Sequence, residues 1–518
     1  MEKIELNQEF KKALDLIENT AQNVFITGKA GTGKSTFLEY FRSTTNKKVA
    51  VLAPTGVAAL NVGGQTIHSF FKFKPDITLQ KIKKKSNKKI YKKIDIIIID
   101  EVSMVRADLL DCIDKFLRLN GKSSQLSFGG TQMVFIGDLY QLPPVVTGKE
   151  REMFRTYYKS VYFFDAKVFD AFPMEFIEFE KVYRQKDKQF IDLLNKIRNN
   201  SVTDKELGLL NQRVGAEFES NKKSKYSIYL TTTNKMASQI NEQYLNELKT
   251  RSYSYKAIVE GNFEQKYFPT DRNLRIKSDS QIMLLNNDAS KRWVNGTIGK
   301  IIDVKSKKKE QDIIIVKLSN GAIEEVSPHK WEIFHFRLNE KTHKLETEVV
   351  GYFIQYPMKL AWAMTIHKSQ GKTFDMAIID VGRGTFAHGQ MYVALSRCIS
   401  LDGIVLKQPI QKRHILMDWQ VVRFMTKYQY NLSEKSISLE EKIGLIKQAI
   451  ENKIFLEIVY LKSNDEKSKR TIKPCNVGEK TYLNKPFMGV EGFCLKRKSE
   501  RVFRVDRILK MRLVKKSA

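Results

Sequence analysis

The chain has 518 residues, a hydrophobic content of 42% and a formal net charge of +31. Its length exceeds the roughly 250–300 residues at which a single core stops growing, so we expect several domains. The sequence has no apolar run of membrane-spanning length and no signal peptide, so we expect neither a membrane protein nor a secreted one. The charge predicts a polyanionic partner, although a lysine-rich composition spread over the whole surface gives the same total.

The N-terminal stretch places Phe10, Leu14 and Ile17 at helical spacing, which predicts an amphipathic helix. Gln8, just before this face, is placed to hydrogen-bond an adenine edge. A surface glutamine with no ligand is equally consistent with the position.

A glycine-rich loop then separates an apolar run, Val24-Phe25-Ile26, from a helical pattern that begins near Phe37. This order of strand, loop and helix is what a phosphate-binding loop requires. Lys34 can reach the β- and γ-phosphates of a nucleotide, and the Ser35 hydroxyl can join the shell of a Mg²⁺ ion. The motif predicts a nucleoside triphosphate site formed by Gly28, Gly31, Thr32, Gly33, Lys34, Ser35 and Thr36.

A second apolar run, Val49–Ala53, ends in Pro54-Thr55-Gly56, and a segment rich in glycines, hydroxyls and aromatics follows over residues 63–71. Eight of the thirteen residues from Lys81 to Lys93 are lysines. Such a run is usually only a solvated face, with a basic edge beside nucleic acid as the alternative.

Two further apolar runs end in polar residues. Ile94–Ile99 is followed by Asp100 and Glu101, a pair that can hold Mg²⁺ and polarise an attacking water. Met133–Ile136 precedes a loop in which Gln141 is placed to sense the γ-phosphate. Strands that end in such loops, with helices between them, predict a doubly wound parallel sheet that binds ligand at its carboxyl edge.

After Arg184 a second α/β region begins, with strands expected near residues 227–230, 376–380 and 403–406. A β-rich piece interrupts it from about residue 281 to 352. Its hairpin signals, Asn295-Gly296 and Asn320-Gly321, predict a small barrel.

The pattern of residues changes again from Leu432. Ser438 and Glu441 form a capping box that opens a helix, and Val502–Ile508 alternates as a strand. This alternation predicts that Arg504 points to solvent. An exposed Arg on a small barrel suits a phosphate or a nucleic-acid strand, and a purely solubilising role is the alternative.

Several of these motifs, in this order, resemble the PIF-type DNA helicases, relatives of RecD and Dda in superfamily one. The resemblance covers about residues 1–425. The stretch from Asp100 to Gln141 is similar to the signature that separates PIF-type helicases from RecD. The matching motifs are Gly28–Thr36, Ala53–Ala59, Gly64–Phe70, Asp100–Met104, Phe128–Gly130, Gly137–Val145, Val182–Gln185, Trp293–Gly299, Thr365–Thr373 and Tyr392–Arg397.

The resemblance implies roles for these positions. Lys34, Asp100, Glu101 and Gln141 would act on ATP and Mg²⁺, with Arg184 and Arg397 as arginine fingers from the second motor domain. For each of these two arginines a structural role is the alternative, and Arg397 is the preferred arginine finger of the two. The further nucleotide contacts implied are Gln8, Gly371 and Lys372. Single-stranded DNA contacts are implied for Pro54, Thr55, Gly64, Thr66, His68, Phe70, Asn295, His367, Lys368 and Gln370. Taken singly, His68 and Phe70 are more typical of a core position, and only the motif context favours a DNA contact.

The resemblance also implies the domain organisation. The fold class is α/β: two RecA-like doubly wound parallel-sheet motor domains, a β-barrel insertion that resembles a Src-homology-three domain, and an α+β tail that resembles a WYL domain. The Trp-Tyr-Leu string itself is absent, and Phe487-Met488-Gly489 aligns with it. The expected range of the first motor domain is 1–180, with a wedge-like insertion at about 65–93. The second motor domain is expected in two parts, 181–280 and 351–431, with the barrel at 281–350 between them. The tail is expected at 432–518.

We therefore expect an ATP-dependent helicase that translocates 5′-to-3′ on single-stranded DNA, as a monomer, in genome maintenance. Forks, G-quadruplexes and RNA–DNA hybrids are all open as substrates. A DNA-stimulated ATPase that remodels or senses without unwinding is the alternative, whereas a metabolic kinase has no use for Arg397. The tail would add a contact to nucleic acid or protein. The four cysteines have neither metal-ligand nor disulfide spacing, which fits a bacterial cytoplasm and its nucleoid.

Overall fold

The computed structural model describes residues 6–74, 77–86, 88–216, 226–306, 311–338 and 345–514. By their internal contacts the residues group into two units, one of Met1–Ile197 with Val202–Leu416 and one of Arg198–Ser201 with Met417–Ala518. Within the described ranges, no helix has the length and apolarity needed to cross a membrane.

The first sheet is built from strands of the N-terminal 180 residues. Its strands are β1 (Asn23–Gly28), β2 (Val49–Ala53), β3 (Gln65–Thr66), β4 (Ile96–Ile99), β5 (Gln132–Ile136) and β6 (Met174–Phe179). The helices of this region are α1 (Gln8–Asn19), α2 (Lys34–Thr44), α3 (Gly56–Asn61), α4 (Ile67–Phe71), α5 (Lys89–Lys93), α6 (Ala107–Asn120) and α7 (Gly148–Tyr157). The short 3-10 helices are Leu79–Lys81, Val102–Met104, Ser127–Gly130, Phe163–Asp165 and Lys167–Ala171.

All pairings of this sheet are parallel, in the order β3-β2-β4-β5-β1-β6. β4 and β5 are buried at every position, as expected for strands that are covered on both faces. The parallel sheet predicted from the apolar runs is therefore confirmed. Its carboxyl edge carries the phosphate-binding loop, the Asp100-Glu101 pair and the Gln141 loop.

The middle of the chain alternates helices and many strands. Its helices are α8 (Lys188–Arg198), α9 (Asp204–Asn211), α10 (Asn234–Glu247) and α11 (Gln390–Leu395), with 3-10 helices at Gln265–Tyr267, His367–Ser369 and Lys412–His414. The strands are β7 (Ile228–Thr231), β8 (Ser252–Lys256), β9 (Ile258–Gly261), β10 (Asn273–Lys277), β11 (Gln281–Leu284), β12 (Ile298–Lys305), β13 (Ile313–Leu318), β14 (Ile323–Val326), β15 (His329–Leu338), β16 (Leu345–Gln355), β17 (Met358–Leu360), β18 (Ala363–Thr365), β19 (Ala377–Asp380) and β20 (Ile404–Leu406).

Four of these strands form a second parallel sheet in the order β18-β7-β19-β20. The predicted strands near residues 227–230, 376–380 and 403–406 correspond to β7, β19 and β20. Its core joins residues from both sides of the β-rich piece, including Leu230, Ile379 and Leu406. The second doubly wound sheet is thus assembled from two separate stretches of chain.

The β-rich piece is larger than the predicted 281–350. It starts at β8 and continues to β17, because the β8–β10 hairpin shares a core with the five-stranded antiparallel sheet β14-β13-β12-β11-β17. The Asn320-Gly321 signal joins β13 to β14, as predicted. A separate antiparallel sheet, β15-β16-β9, packs through Trp331 and Phe353.

The segment predicted as a wedge is anchored to the first sheet's region by aromatic packing. Tyr91, on α5, packs its ring against Phe70, Phe71 and Phe116. Most of the lysines between residues 81 and 93 are exposed, as on a solvated face. Positions 75, 76 and 87 of the predicted wedge lie outside the described residues.

The second unit is an antiparallel sheet with helices. Its elements are α12 (Trp419–Ser436), α13 (Leu439–Glu451), β21 (Phe455–Leu461), β22 (Lys467–Tyr482), β23 (Lys485–Cys494), β24 (Ser499–Arg504), the 3-10 helix Val505–Arg507 and β25 (Ile508–Val514). The strand order is β24-β23-β22-β21-β25. Ser438 caps α13 together with Glu441, as predicted.

Two predictions for this unit are wrong in detail. The expected boundary at residue 432 falls inside α12, and the unit begins at Met417. The expected strand Val502–Ile508 is interrupted, because the backbone turns through a 3-10 helix at Val505–Arg507 before β25 begins.

Candidate functional site

The loop between β1 and α2 has a backbone that only glycine adopts without strain. Gly28, Gly31 and Gly33 all have positive φ, at 152°, 82° and 86°. A Cβ on Gly28 would lie 2.6 Å from the Phe179 carbonyl oxygen, and one on Gly31 would lie 2.6 Å from the Cβ of Arg184. Space and conformation therefore both require the glycines that the sequence motif supplies.

Lys34 begins α2 and turns back over this loop. Its ammonium donates hydrogen bonds to the carbonyl oxygens of Gly28, at 2.7 Å, and Lys29, at 3.0 Å. The charge is thereby held above the loop, at the amino end of α2, where backbone N–H groups also favour an anion. This is the arrangement that binds the phosphates of a nucleotide.

Asp100 and Glu101 follow the buried strand β4. Glu101 adopts a left-handed backbone conformation with φ of 49°, which turns its side chain away from the strand direction. Burial raises the pKa of both carboxyl groups, to about 7 for Glu101, where the neighbouring charge of Asp100 adds to the effect. Two adjacent buried carboxyls with raised pKa are typical of acid–base sites.

The Gln370 side chain reaches Glu101 from the second parallel sheet. Its Nε2 donates to the Glu101 carboxylate at 2.9 Å and to Oε1 of Gln141 at 3.2 Å. Gln370 was predicted to bind DNA, and the structure instead directs its amide to the candidate base. The difference arises because Gln370 follows the 3-10 helix His367–Ser369 and faces the opposite sheet.

This hydrogen bond leads to a pH-dependent prediction. We expect kcat/KM for ATP to rise with pH, with a midpoint near pH 7 and a plateau above it, because Glu101 must be ionised to accept a proton and its pKa is raised to about 7. In Gln370→Leu the midpoint should move to higher pH, by up to about one unit, because the charged carboxylate loses a donor. The surface variant Gln189→Leu should keep the wild-type profile. A midpoint that stays in place or falls in Gln370→Leu would contradict the role of this bond.

The two candidate arginine fingers differ in their surroundings. Arg397 is 1% exposed, and its guanidinium donates to the carbonyl oxygens of Val393, Ser369 and Lys372 and to the Ser396 hydroxyl. Burial, with the charge of Arg184 close by, lowers the pKa of Arg397 to about 9. The chain itself thus occupies most of the donors of Arg397.

Arg184 is half-buried and makes a hydrogen bond of 3.2 Å to the Ser396 carbonyl. It follows β6, and its Cβ lies beside Gly31 of the phosphate-binding loop. The amide of the neighbouring Gln185 also donates to the Ser396 carbonyl, so this segment contacts the regions of both parallel sheets. The place of Arg184 on the second motor domain stays a prediction.

These groups surround one cavity of about 650 Å³ at the meeting point of the two parallel sheets. The predicted residues that line it are Gly31, Thr32, Gly33, Lys34, Ser35, Thr36, Glu101, Gln141, Arg184, Gly371 and Arg397. Phe10, Tyr183 and Ile399 line it as well and were not predicted. Because an adenine ring packs on apolar and aromatic surface, the 39% exposed Tyr183 is a candidate base contact that its position beside Arg184 could have indicated.

Four residues predicted at the nucleotide site are absent from this lining within the described residues. Asp100 is one of them: it is 8% exposed, and its neighbour Glu101 faces the cavity. Gln8 begins α1 with an exposed side chain, while Phe10 takes the inward position two residues later. Gly28 lies beneath the loop, against Phe179. Lys372 points to another site, where its ammonium donates to the Asn295 side-chain oxygen at 2.7 Å.

The predicted DNA contacts on the first sheet have mixed environments. The hydroxyls of Thr55 and Thr66 cap α3 and α4 and accept from backbone N–H groups. Pro54 and His68 are half-buried. Gly64 packs so closely that a Cβ would lie 2.4 Å from the Val51 carbonyl oxygen.

Phe70 is the clear exception among these residues. It is 5% exposed and packs edge-to-face against Phe71 and Tyr91. A ring enclosed in this way cannot stack on a nucleobase, so the alternative of a core position is correct.

An aromatic surface on the second sheet is better suited to bases. His367 stacks on Phe386, with ring centroids 6.2 Å apart and planes within 13°. Phe386 is 63% exposed, and Lys368, which follows His367 in the chain, is exposed too. Phe386 was not predicted, because it lies in a loop outside the recognised motifs.

Arg504, in the second unit, does not point freely to solvent. It forms an ion pair of 2.7 Å with Asp506 and lies over the Phe487 ring at 5.0 Å. Phe503 and Val505 are buried on the opposite face, as the alternation predicted. The predicted exposure of Arg504 is therefore only partial.

Known proteins match the chain in two parts. A family model described as PIF1-like helicase matches residues 5–207, and one described as WYL domain matches residues 441–513. The ATP-dependent DNA helicase Pif1 of Bdellovibrio bacteriovorus is 32% identical over 438 residues, which cover 82% of this chain and 93% of that protein. The PIF1 helicase of Xenopus laevis is also 32% identical, and the chain spans 60% of its length.

Solved structures match the same region. Pif1 from Bacteroides sp. in complex with ADP-AlF4 is 36% identical, with a TM-score of 0.74, and the match covers 82% of this chain and 98% of that one. Pif1 from Candida albicans is 29% identical, with a TM-score of 0.64 and coverage of 82% and 99%. Another Bacteroides Pif1 structure contains single-stranded DNA, with a TM-score of 0.62.

Proposed function

The chain belongs to the PIF1-like helicase family and is an ATP-dependent DNA helicase, and we propose that it moves 5′-to-3′ along single-stranded DNA and separates duplex or structured DNA ahead of it. The observation that carries the proposal is the shared cavity. Lys34 and Glu101 face it from the first parallel sheet, and Arg397 and Gly371 face it from the second. Nucleotide bound there contacts both sheets at once.

The proposed ATPase step uses groups that already line the cavity. Lys34 and the loop N–H groups bind the phosphates, Glu101 accepts the proton of the attacking water, and Gln141 positions the γ-phosphate. Arg184 and Arg397 neutralise charge that develops on the transferred phosphoryl group. The Tyr392 hydroxyl, which accepts from the Ala30 N–H at 2.9 Å, ties the second sheet to the loop.

We propose Mg²⁺ as the metal that accompanies ATP. Among the described residues, no group of three or more His, Cys, Asp or Glu side chains could hold a metal alone. Ser35 and Asp100 supply one hydroxyl and one carboxylate, which fits Mg²⁺ because this ion usually keeps waters and phosphate oxygens as its other ligands. Bound Mg²⁺ would neutralise phosphate charge.

The proposed track for the single strand crosses the surface near His367. Stacking on Phe386 and His367 would hold bases without sequence preference, and Lys368 would hold phosphate. Gln370 would then link this surface to Glu101, since only one residue separates it from Lys368. Relatives support the partner, because Pif1 structures from Bacteroides contain single-stranded or forked DNA.

Unwinding of forked duplexes tests the proposal. A fork with only a 5′ single-stranded tail should be opened in the presence of ATP and Mg²⁺, and a fork with only a 3′ tail should stay closed. Binding to the single strand should weaken as salt rises, with a log–log slope of about −0.7 for each phosphate contacted. DNA-stimulated ATP hydrolysis with neither fork opened would instead support a remodelling or sensing ATPase.

The second unit is proposed to anchor DNA or a protein partner. We expect a chain that ends at Leu416 to keep its ATPase activity, because the nucleotide cavity lies wholly within the first unit, and to bind single-stranded DNA more weakly. Arg504→Ala in the full chain should reproduce part of that loss. Asp506→Asn should strengthen binding, because it releases Arg504 from its ion pair. Equal binding by all four proteins would exclude a DNA anchor and favour protein docking.

A further inference from the structure

A second cavity, of about 330 Å³, lies between α3, the β-rich piece and the segment that follows His367. Three lysines line it: Lys359 on β17, and Lys368 and Lys372 beside the second parallel sheet. The volume is far above the roughly 10–15 Å³ that one water needs. Three ammonium groups that face one space of this size predict an anionic ligand.

The lysines have few partners of opposite charge. Within the described residues, none of the three forms an ion pair with a carboxylate. Lys372 donates to Asn295, whose own amide nitrogen donates to Asn61 at 2.9 Å, so a neutral chain of side chains holds it in place. Asp271 is the one acidic residue in the lining, and it is exposed.

The same cavity also has apolar lining residues. These are Phe268, Pro269, Leu60 and Leu285, and Phe268 is partly exposed while its ring packs on Phe353. Lysines and apolar side chains around one space fit a nucleotide unit, with phosphate near the lysines and sugar or base near the apolar groups. A free inorganic anion would use only the lysines.

We propose that Lys359, Lys368 and Lys372 together bind one backbone phosphate of the single strand, with Lys359 as a contact that no sequence motif indicates. The inference rests on the proposed function and assigns part of its DNA track. Leu60 and Asn61 end the helix that Thr55 caps, and Lys368 adjoins His367. The cavity therefore lies between the candidate DNA contacts of the two parallel sheets.

Charge at Lys359 should be coupled to binding. In the DNA-free protein, burial lowers the pKa of Lys359 to about 7, with smaller contributions from the charges of Lys372 and Lys368, while Asp271 opposes the shift. The exposed Arg272 is the other charged residue that lines the cavity. A bound phosphate favours the charged ammonium, so DNA should bind with uptake of a proton above pH 7.

The sign of the pH dependence follows from this proton. Below pH 7 Lys359 is charged with or without DNA, so its protonation should not change the affinity for DNA. Above pH 7 each further pH unit should weaken DNA binding by up to about tenfold, until the higher pKa that Lys359 has in the DNA-bound state is reached. An arginine at this position keeps its charge throughout and should remove this part of the dependence.

The test measures binding of full-length protein to an oligo-dT strand between pH 6.5 and 8.5. Lys359→Gln should bind about 10- to 100-fold more weakly at pH 6.5, and its salt slope should fall by about 0.7. Lys359→Arg should bind like wild type at pH 6.5 and more tightly than wild type at pH 8.5. Lys300→Gln, which removes an exposed lysine paired with Asp279 on the same β-rich piece, should behave like wild type.

The outcomes separate this inference from the proposed function. If wild type binds DNA and unwinds, but both Lys359 variants match it at every pH, the phosphate site is overturned and the helicase function stands. Competition by inorganic phosphate at constant ionic strength, with no effect of Lys359→Gln on oligo-dT binding, would indicate a free-anion site and also overturn it. Unchanged melting temperatures in the Lys359 variants exclude loss of fold as the cause of weaker binding.

Discussion

Glu101→Gln is expected to lower the DNA-stimulated turnover of ATP by a factor of about 10²–10⁴ while nucleotide still binds. The amide keeps the shape of the side chain but cannot accept the proton of the attacking water. Phosphate binding depends on Lys34 and the loop N–H groups, which the change leaves in place. Steady-state ATPase assays and binding of a fluorescent ATP analogue measure the two effects separately.

Two further variants define what this result means. Lys34→Ala should lose turnover and nucleotide affinity together, because it removes a phosphate contact. Glu175→Gln, on β6 of the same sheet but away from the cavity lining, should leave both unchanged. Wild-type turnover in Glu101→Gln would show that another group is the base.

Arg184→Ala is expected to lower turnover by about 10³–10⁵, the range found for arginine fingers, with little change in melting temperature. Its half-buried guanidinium makes a hydrogen bond to the Ser396 carbonyl, so removing it leaves few buried groups unpaired. Arg397→Ala should lose turnover and stability together. Each buried acceptor of Arg397 that is left without a donor costs roughly 1–3 kcal/mol in the free energy of unfolding.

Thermal melts alongside single-turnover hydrolysis distinguish catalytic from structural arginines. Arg397→Lys, which keeps a positive charge but not the planar fork, should recover part of the stability and little of the turnover. Arg118→Ala serves as the control for the loss of an arginine outside the cavity, because Arg118 forms an ion pair with Asp114 on α6. Normal turnover in Arg397→Ala at a lowered melting temperature would assign that arginine a purely structural role.

The Gln370 hydrogen bond gives a physical route by which DNA affects hydrolysis. Lys368 and Lys372 flank Gln370 in sequence and line the proposed phosphate cavity, while Gln370 itself contacts Glu101. If this short segment moves when DNA binds, the hydrogen bond that Gln370 donates to Glu101 would change. The pH profile of Gln370→Leu, measured with and without oligo-dT, tests this coupling directly.

Local patterns in the sequence determined the parts of the fold that depend on neighbouring residues. The apolar runs before Gly28 and Asp100 predicted buried parallel strands, because a strand covered on both faces is apolar throughout. The capping box at Ser438 predicted the start of α13 through a contact three residues away. The spacing of Lys34 and Ser35 after the glycines likewise predicted the phosphate-binding loop.

Side-chain direction and long-range assembly were decided only by the tertiary structure. Motif membership suggested DNA contacts for Gln370 and Phe70, yet the amide of Gln370 faces Glu101 and the ring of Phe70 is buried. A one-dimensional pattern cannot say which way a loop residue turns when two sheets meet around it. Lys359 shows the same limit: it is an ordinary lysine in sequence, and only the folded chain brings it to one cavity with Lys368 and Lys372, where burial above all lowers its pKa.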